Sequence, residues 1–327
     1  MALYFKYRYN ICVMGKGRFE MDKLSSSEYF KAIVRTKNIS AAAEELGISQ
    51  PALSAFLKRQ EAAIGHTLID RSTVPVSLTE AGQVYLSYLD KMDILNHELS
   101  QELCDIDELK TGSLVIGGAT FFNVTYLPAA VAEFNKLYPG IRIEIVDGKV
   151  PEIVAQANAG NIDVFTTAVK TDEDLFCYEE MFHEKLFLCI PEEWEINEKL
   201  PTTGPEGYAV LKPGDLKLLA DSTFILLHED QDIGHKMNGI FKEFNLHPAN
   251  TLVAGQTLTT LELTLAGVGI SLISESTLST YSTNKKPRLY YIDSEFCSRT
   301  MYVAYPKMRY VSGATKEFIK ALKKHNR

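Results

Sequence analysis

The side chains that could do chemistry in this chain of 327 residues are few and dispersed. Seven histidines stand singly: His66, His97, His183, His228, His235, His247 and His325. None falls in H-E-x-x-H or another ligand spacing, so packed or surface imidazoles are expected, and no metal. The five cysteines (Cys12, Cys104, Cys177, Cys189, Cys297) include no C-x-x-C pair and are odd in number, which reads as reduced thiols. A redox pair of Cys177 with Cys189 would require the two to meet across neighbouring strands. The sequence has no G-x-S-x-G, no P-loop and no complete G-x-G-x-x-G; Gly117-Gly118 is a fragment of such a turn. A transferase on an α/β scaffold is the enzyme alternative, and no residue constellation supports it. No catalytic activity and no cofactor are expected.

The richest constellation lies on a helix. From Ser49 the chain reads Ser49-Gln50-Pro51-Ala52-Leu53-Ser54. At 100° per residue, Leu53, Leu57, Gln60 and Ile64 share one side, and Pro51, Ser54 and Lys58 the other, with Gln50 at the N-terminal tip. The first set is a core face. The second is a polar stripe of the kind that enters a DNA major groove: glutamine pairs with adenine in a bidentate way, serine reaches base or phosphate, and a helix N-terminus favours phosphate. A helical hairpin with a merely solvated face would show the same split.

The elements around that stripe decide how it is held. Phe30, Ile33 and Val34 form an apolar i, i+3, i+4 stripe. Ser40 is the expected N-cap of the next helix, the alanines at 41–43 allow close helix approach, and Gly47 is its expected C′ residue. Ser49 caps the following helix, with Pro51 in its first turn. Two short helices around a glycine turn make a helix-turn-helix unit. Leu68 to Arg71 and Val74 to Leu78 then alternate like a hairpin, the wing of a winged helix. Thr79 caps a long helix in which Tyr85, Met92, Leu99 and Ile106 recur every seventh residue, with Tyr88 and Leu95 between them. That heptad seam predicts pairing with a second helix. After Thr111-Gly112 two β-α-β units follow: strand 114–117, helix 126–138 and strand 141–145, then strand 224–227, helix 233–244 and strand 251–253. They predict two parallel-sheet lobes with a cleft between them. A strand over 299–305 and a helix over 314–323 complete the chain.

Residues 40–54, with Thr79-Glu80-Ala81-Gly82, resemble the N-terminal domain of LysR-type transcriptional regulators, and the segment 49–54 matches their recognition-helix motif throughout. Tyr138-Pro139-Gly140-Ile141 and Ala266-Gly267-Val268-Gly269-Ile270 resemble landmarks of the same family. The resemblance covers 21–327. It implies a winged helix-turn-helix DNA-binding domain (21–78), a linker and dimerisation helix (79–111), and a two-lobed effector domain like a periplasmic binding protein (112–327). Lobe I would take about 112–183 and 288–327, and lobe II about 184–287. Residues 1–20 read as an extension or misassigned start, or as a basic arm on DNA phosphates. DNA contacts are expected at Ser40, Ser49, Gln50, Pro51, Ser54, Lys58 and Arg71. The chain departs from the family's pattern at Ala55, where arginine is usual, at Phe56, where a polar residue is common, and in Thr73-Val74-Pro75-Val76, which lacks the wing's usual cation.

Charge and composition bound the function. The net charge is −8, and 21–85 holds seven basic and seven acidic residues, so binding to random DNA should be weak and two half-sites are needed. No run approaches ~18 apolar residues and 1–20 lack an apolar signal core, so a cytoplasmic location and no membrane partner are expected. The expected partners are duplex DNA with dyad symmetry, a second copy (homodimer or homotetramer), RNA polymerase and a small effector. The effector site is expected past strand ends: Ala119, Thr120, Phe121, Phe122 and Asn123; Thr166 and Thr167; Asp230; Gln256 and Thr257. Hydroxyls and helix N-termini suit an anion, and Phe121 and Phe122 an apolar part, unless these side chains only cap strands and fill the core. A two-lobed ligand-binding module that has lost DNA binding is the other class left open.

Overall fold

The structure, a computed structural model, describes residues 26–106, 109–281 and 285–326. These form two compact units that divide between Gly112 and Ser113. Residues 1–20, read above as an extension or a DNA-binding arm, lie outside the described residues.

The first unit runs α1 (Ser26–Thr36), α2 (Ile39–Leu46), α3 (Gln50–Ile64), β1 (Ile69–Asp70), β2 (Ser77–Leu78) and α4 (Glu80–Ile106). Phe30, Ile33, Ala42, Ala43, Leu53, Leu57, Leu68 and Leu89 form its core. Strands β1 and β2 pair antiparallel, giving the expected wing. Helix α4 presses on its base at Gly82, where a Cβ would stand 2.0 Å from the Leu68 carbonyl oxygen, so no larger residue fits. Thr79 Oγ1 accepts from the Gly82 N–H at 3.0 Å and closes the first turn of α4.

The second unit continues with β3 (Gly112–Gly118), α5 (Thr120–Leu137), β4 (Ile141–Asp147), α6 (Val150–Asn158), β5 (Val164–Thr167) and the long β6 (Phe176–Ile190). Then come β7 (Ala209–Leu211), α7 (Pro213–Lys217), β8 (Thr223–Leu227), α8 (Asp232–Glu243), β9 (Asn250–Ala254), α9 (Thr257–Leu265), β10 (Ile270–Ser274) and α10 (Glu275–Thr280). The last elements are β11 (Arg288–Ile292), β12 (Ser298–Pro306) and α11 (Gly313–His325). The strands lie in the order β4-β3-β5-β12-β6-β10-β8-β9. The two lobes are mixed rather than purely parallel: β3 with β5 and β8 with β9 and β10 are parallel, whereas β6 and β12 run antiparallel to their partners. Strand β6 belongs to both lobes, pairing β12 through residues 176–185 and β10 through 186–189. Strand β11 pairs β6 and β7, so residues 288–292 sit in lobe II and the chain re-enters lobe I only at β12, about ten residues later than expected. Each lobe has its own core, around Phe165, Phe176 and Ile153 in lobe I and around Phe224, Ile240, Leu272 and Ile292 in lobe II.

Candidate functional site

Two places gather the polar side chains singled out by the sequence, one in each unit. In the first, α3 is held by its apolar face. Leu53, Phe56 and Leu57 are buried, and the Phe56 ring meets Tyr29 edge-on at 5.0 Å. Phe56 therefore belongs to the core and leaves the outer face to shorter residues. Ile64, expected inside, is 38 % exposed. Ser49 caps the helix, its hydroxyl accepting from the Ala52 N–H, and Gly47 takes the left-handed conformation (φ 67°) that ends α2. Ser40 does not cap α2. Asn38 does, its Oδ1 accepting from the N–H groups of Ser40 and Ala41 at 2.9 and 3.1 Å. Asparagine two residues upstream competes with serine for the same amides, and its backbone (φ −155°, ψ 120°) is the extended one a cap needs.

At the exposed tip, Gln50 Nε2 donates to Ser54 Oγ at 3.0 Å. This ties the exposed Gln50 amide to the residue one helical turn on, and a glutamine amide carries the acceptor and donor that adenine pairs with. Pro51 and Lys58 share the exposed face. Arg71 does not point outward unaccompanied: its Nη2 meets Glu61 Oε2 at 3.1 Å, while Glu61 Oε1 accepts from the Leu68 N–H at 2.9 Å. Lys31 is likewise held by Asp90 and Asp93 (2.5 and 2.7 Å), and Arg35 by Glu45. Burial alone would lower Lys31, but its two carboxylate partners hold its ammonium above the ordinary value. Lys37, Lys58 and Arg59 are exposed without a carboxylate partner among the described residues.

Helix α4 exposes Val84, Tyr88, Met92, Leu95, Leu99, Leu103 and Ile106. The sequence-derived seam needs one correction. Tyr85 faces inward, 5.0 Å from the Phe30 ring with its hydroxyl on Gln60, because the first turns of α4 are part of the helix-turn-helix core.

In the second unit the candidate residues lie where helices follow strand ends. Helix α5 starts at Thr120, earlier than expected, so Thr120 to Asn123 are its first turn and not a loop. The start was hidden because its cap, Ala119, has no side chain that can bond the helix amides. Thr120 is exposed and Phe121 half-buried. Phe122 is buried, stacks on Tyr126 at 5.8 Å and lies 5.2 Å beneath the Arg299 guanidinium, so it fills space instead of lining it. Asn123 is buried and donates to the carbonyls of Gly118 and Val146 and to Asp147. Thr166 and Thr167 are residues of β5 itself, not of the loop beyond it, since both pair with β12. The Thr167 hydroxyl donates to the Val169 carbonyl at 2.9 Å and is used up in closing that turn. Gln256 is the N-cap of α9 and Thr257 its first residue, buried. The N-termini of α5, α8 and α9 have no side-chain cap bond.

The lobes touch through ions. Asp230, in the β8–α8 turn, meets Lys149 at the start of α6 at 2.7 Å across the cleft. Deeper, Arg299 at the start of β12 is buried with Nε on Glu184 Oε1 (2.7 Å) and Nη1 on Asp232 Oδ2 (2.9 Å). Tyr126 and Ser276 add hydroxyls to the same Glu184. Burial pushes the Tyr126 phenol well above its ordinary value, and the Glu184 charge adds to this. Sequence reasoning missed Lys149, Glu184, Asp232 and Arg299. The legible signal was a charged residue at an inward position of an apolar alternation, Phe182-His183-Glu184-Lys185-Leu186.

The alternative pairing of Cys177 with Cys189 does not occur. Both lie on β6, on the order of 40 Å apart at ~3.3 Å per residue. Among the described residues Cys177, Cys189 and Cys297 form no disulfide, and burial pushes Cys297 up to about 12.

Comparison with known proteins decides what these two places belong to. Residues 24–83 match the family described as bacterial regulatory helix-turn-helix protein, lysR family, and residues 107–327 match the LysR substrate binding domain. The chain belongs to the LysR family. A LysR-family relationship extends to HTH-type transcriptional regulator YybE of Bacillus subtilis, 24 % identical over 292 residues, 89 % of this chain and 94 % of that one. A full-length OxyR variant from Pseudomonas aeruginosa shares the fold (TM-score 0.64, 17 % identity, 93 % and 94 % of the two chains). So does full-length CbnR complexed with its target DNA (TM-score 0.61, 19 % identity, 92 % and 98 %). LysR-family chains are DNA-binding transcriptional regulators with an effector-binding domain, which here are the first and second units. Among the described residues no helix is long and apolar enough to cross a membrane.

Proposed function

We propose that this LysR-family regulator binds duplex DNA with dyad symmetry as a dimer or tetramer, reads it with the tip of α3, and is controlled by a small effector between the lobes of its second unit. The observation that carries the DNA reading is the tip itself: Gln50 tethered to Ser54 on a helix whose other face is locked by Leu53, Phe56 and Leu57. Ser49 supplies the helix N-terminus to a phosphate, Pro51 shapes the first turn, Ser54 positions Gln50, and Lys58 meets the backbone. Ser40 contributes through the exposed start of α2, and Arg71 anchors the wing through Glu61. The apolar face of α4 pairs with a second copy. It exposes seven large side chains over a helix ~40 Å long, which supports a two-fold arrangement of reading heads. RNA polymerase is then the partner of the DNA-bound regulator.

The effector reading places an anion at the uncapped start of α5, with Ala119, Thr120 and Phe121 on one wall and Gln256, Thr257 and the Asp230 turn on the other. Phe122, Thr166, Thr167 and Asn123 shape its floor. The chain acts as a cytoplasmic regulator and not as an enzyme. Selection from a random duplex library with the full-length protein tests the reading. Recovery of an inverted repeat whose half-sites lose their base preference in Gln50→Ala supports it. An enriched site with no dyad, or no enrichment at all, overturns it.

A further inference from the structure

Helix α4 serves two neighbours. Its first turns belong to the helix-turn-helix core, and its later turns bear the exposed apolar face. Between the two lies an ionic clamp. Lys31 on α1 places its Nζ 2.5 Å from Asp90 Oδ1 and 2.7 Å from Asp93 Oδ2. One turn earlier on α1, the buried Ser27 donates its hydroxyl to the same Asp93 oxygen at 2.8 Å. Two residues of α1 thus grip two residues of α4 just past Leu89, the last α4 side chain in the core of the head. The Lys31 and Asp93 side chains are 27 % and 24 % exposed, so the pair is partly withdrawn from water, and one cation answers two carboxylates. Such a network holds its geometry better than an isolated pair on an open surface.

The place of the clamp on the helix gives it leverage. At 3.6 residues per turn, Asp90 and Asp93 stay on the side of Leu86 and Leu89, while Tyr88, Met92, Leu95 and Leu99 lie roughly 140° round. The clamp therefore leaves the apolar face free for a second copy. From Gly82 to Leu89 the head touches about 10.5 Å of α4, and the clamp extends this to Asp93, about 16.5 Å. For the same play at the joint, the shorter contact lets the head swing about half as far again. One base pair between half-sites turns the next groove by about 34–36° and moves it about 3.4 Å. A head held at one angle to the dyad cannot follow that change, and a head that swings can.

We propose that Lys31, with Asp90, Asp93 and Ser27, is a positioning device: it fixes the angle of each reading head on α4 and so sets the half-site spacing that the protein accepts. Lys31 acts through the two carboxylates and not on DNA. This rests on the reading of the protein as a dimer on a dyad-symmetric site.

The test uses the full-length protein and the inverted repeat that selection recovers. Affinity is measured on that repeat, on repeats with one base pair added or removed between the half-sites, and on a duplex with a single half-site. Wild type should bind the altered spacings tenfold or more weakly than the parent. In Lys31→Met that penalty should shrink to about threefold, with single half-site affinity within twofold of wild type and its salt slope unchanged. Asp90→Asn combined with Asp93→Asn should relax the spacing in the same way, and Lys31→Arg should keep it strict. If the penalty is as large in Lys31→Met and in the double variant as in wild type, the inference fails and the dyad reading stands. If Lys31→Met weakens the single half-site as much as the repeat and flattens its salt slope, Lys31 is a phosphate contact and the inference fails. If wild type binds one half-site as tightly as the repeat, the dyad reading falls and the inference with it.

Discussion

The salt dependence of DNA binding can be worked from the ion pairs of the first unit. Of the six lysines and arginines that the described residues contribute between Ser26 and Tyr85, Lys31, Arg35 and Arg71 are committed to carboxylates. Lys37, Lys58 and Arg59 remain for phosphate. Two heads offer about six cations, so log K should fall with log salt at a slope of about −5.4, and a fourfold rise in salt should weaken binding about 2,000-fold. Lys58→Ala removes two of the six in a dimer. The slope should flatten to about −3.6, and the same fourfold rise should cost only about 150-fold. Fluorescence anisotropy on a labelled duplex from 50 to 200 mM salt, with wild type and Lys58→Ala side by side, measures both slopes. An unchanged slope in Lys58→Ala would mean that Lys58 meets no phosphate. A wild-type slope steeper than about −8 would mean that cations outside the described head neutralise phosphates, and the count would be wrong.

Gln50→Ala should cost about 1–3 kcal/mol at a selected half-site and almost nothing on random duplex, as competition binding would show; equal losses on both would refute base reading by the tip. Leu95→Asp puts a carboxylate in the middle of the exposed face of α4 and should turn the assembly into monomers by analytical ultracentrifugation, whereas an unchanged mass would place the interface elsewhere. Arg299→Met leaves Glu184 and Asp232 buried without their cation and should cost about 3–5 kcal/mol in urea unfolding; a loss below about 1 kcal/mol would show that the carboxylates are solvated. Lys149 holds the Asp230 carboxyl below its ordinary value, so the bridge stabilises at neutral pH and is lost as pH falls through the carboxylate range near ~4. The melting advantage of wild type over Asp230→Asn should vanish there, and an advantage that grows in acid would have the wrong sign.

The helix-turn-helix was legible because local chemistry dictates it: Gly47 has to turn, Ser49 has to cap, and Leu53 and Leu57 have to hide. Strand β4 was legible from alternation and β3, β8, β9 and β12 as short apolar runs, and their order in the sheet was not. The start of α5 was obscured by an alanine cap, and the placement of Ser40 by a better acceptor two residues earlier. Tyr85 looked like part of the seam because a heptad does not say where the helix-turn-helix core stops. At the candidate effector site the sequence named Asn123 and Thr166, but not that their oxygens pack against Gly118, which depends on two separate strands and a helix. Glu184 left a local trace in its apolar alternation, but the pairing of Lys149, Glu184, Asp232 and Arg299 lay beyond local reading because each partner is 67 or more positions away.

The place of β12 between β5 and β6 bears on how the protein is made. Lobe I needs a strand that is translated some 130 residues after β5. At about 5–20 residues per second, β5 waits roughly 6–26 s on the ribosome before its neighbour emerges. The first unit has no such dependence and can fold as soon as α4 is out. During that interval the edge of β5 is open to other chains, and the buried apolar side chains of lobe I are exposed to chaperones. Slowing translation after Thr167 should therefore lower the yield of soluble regulator far more than slowing it within α4.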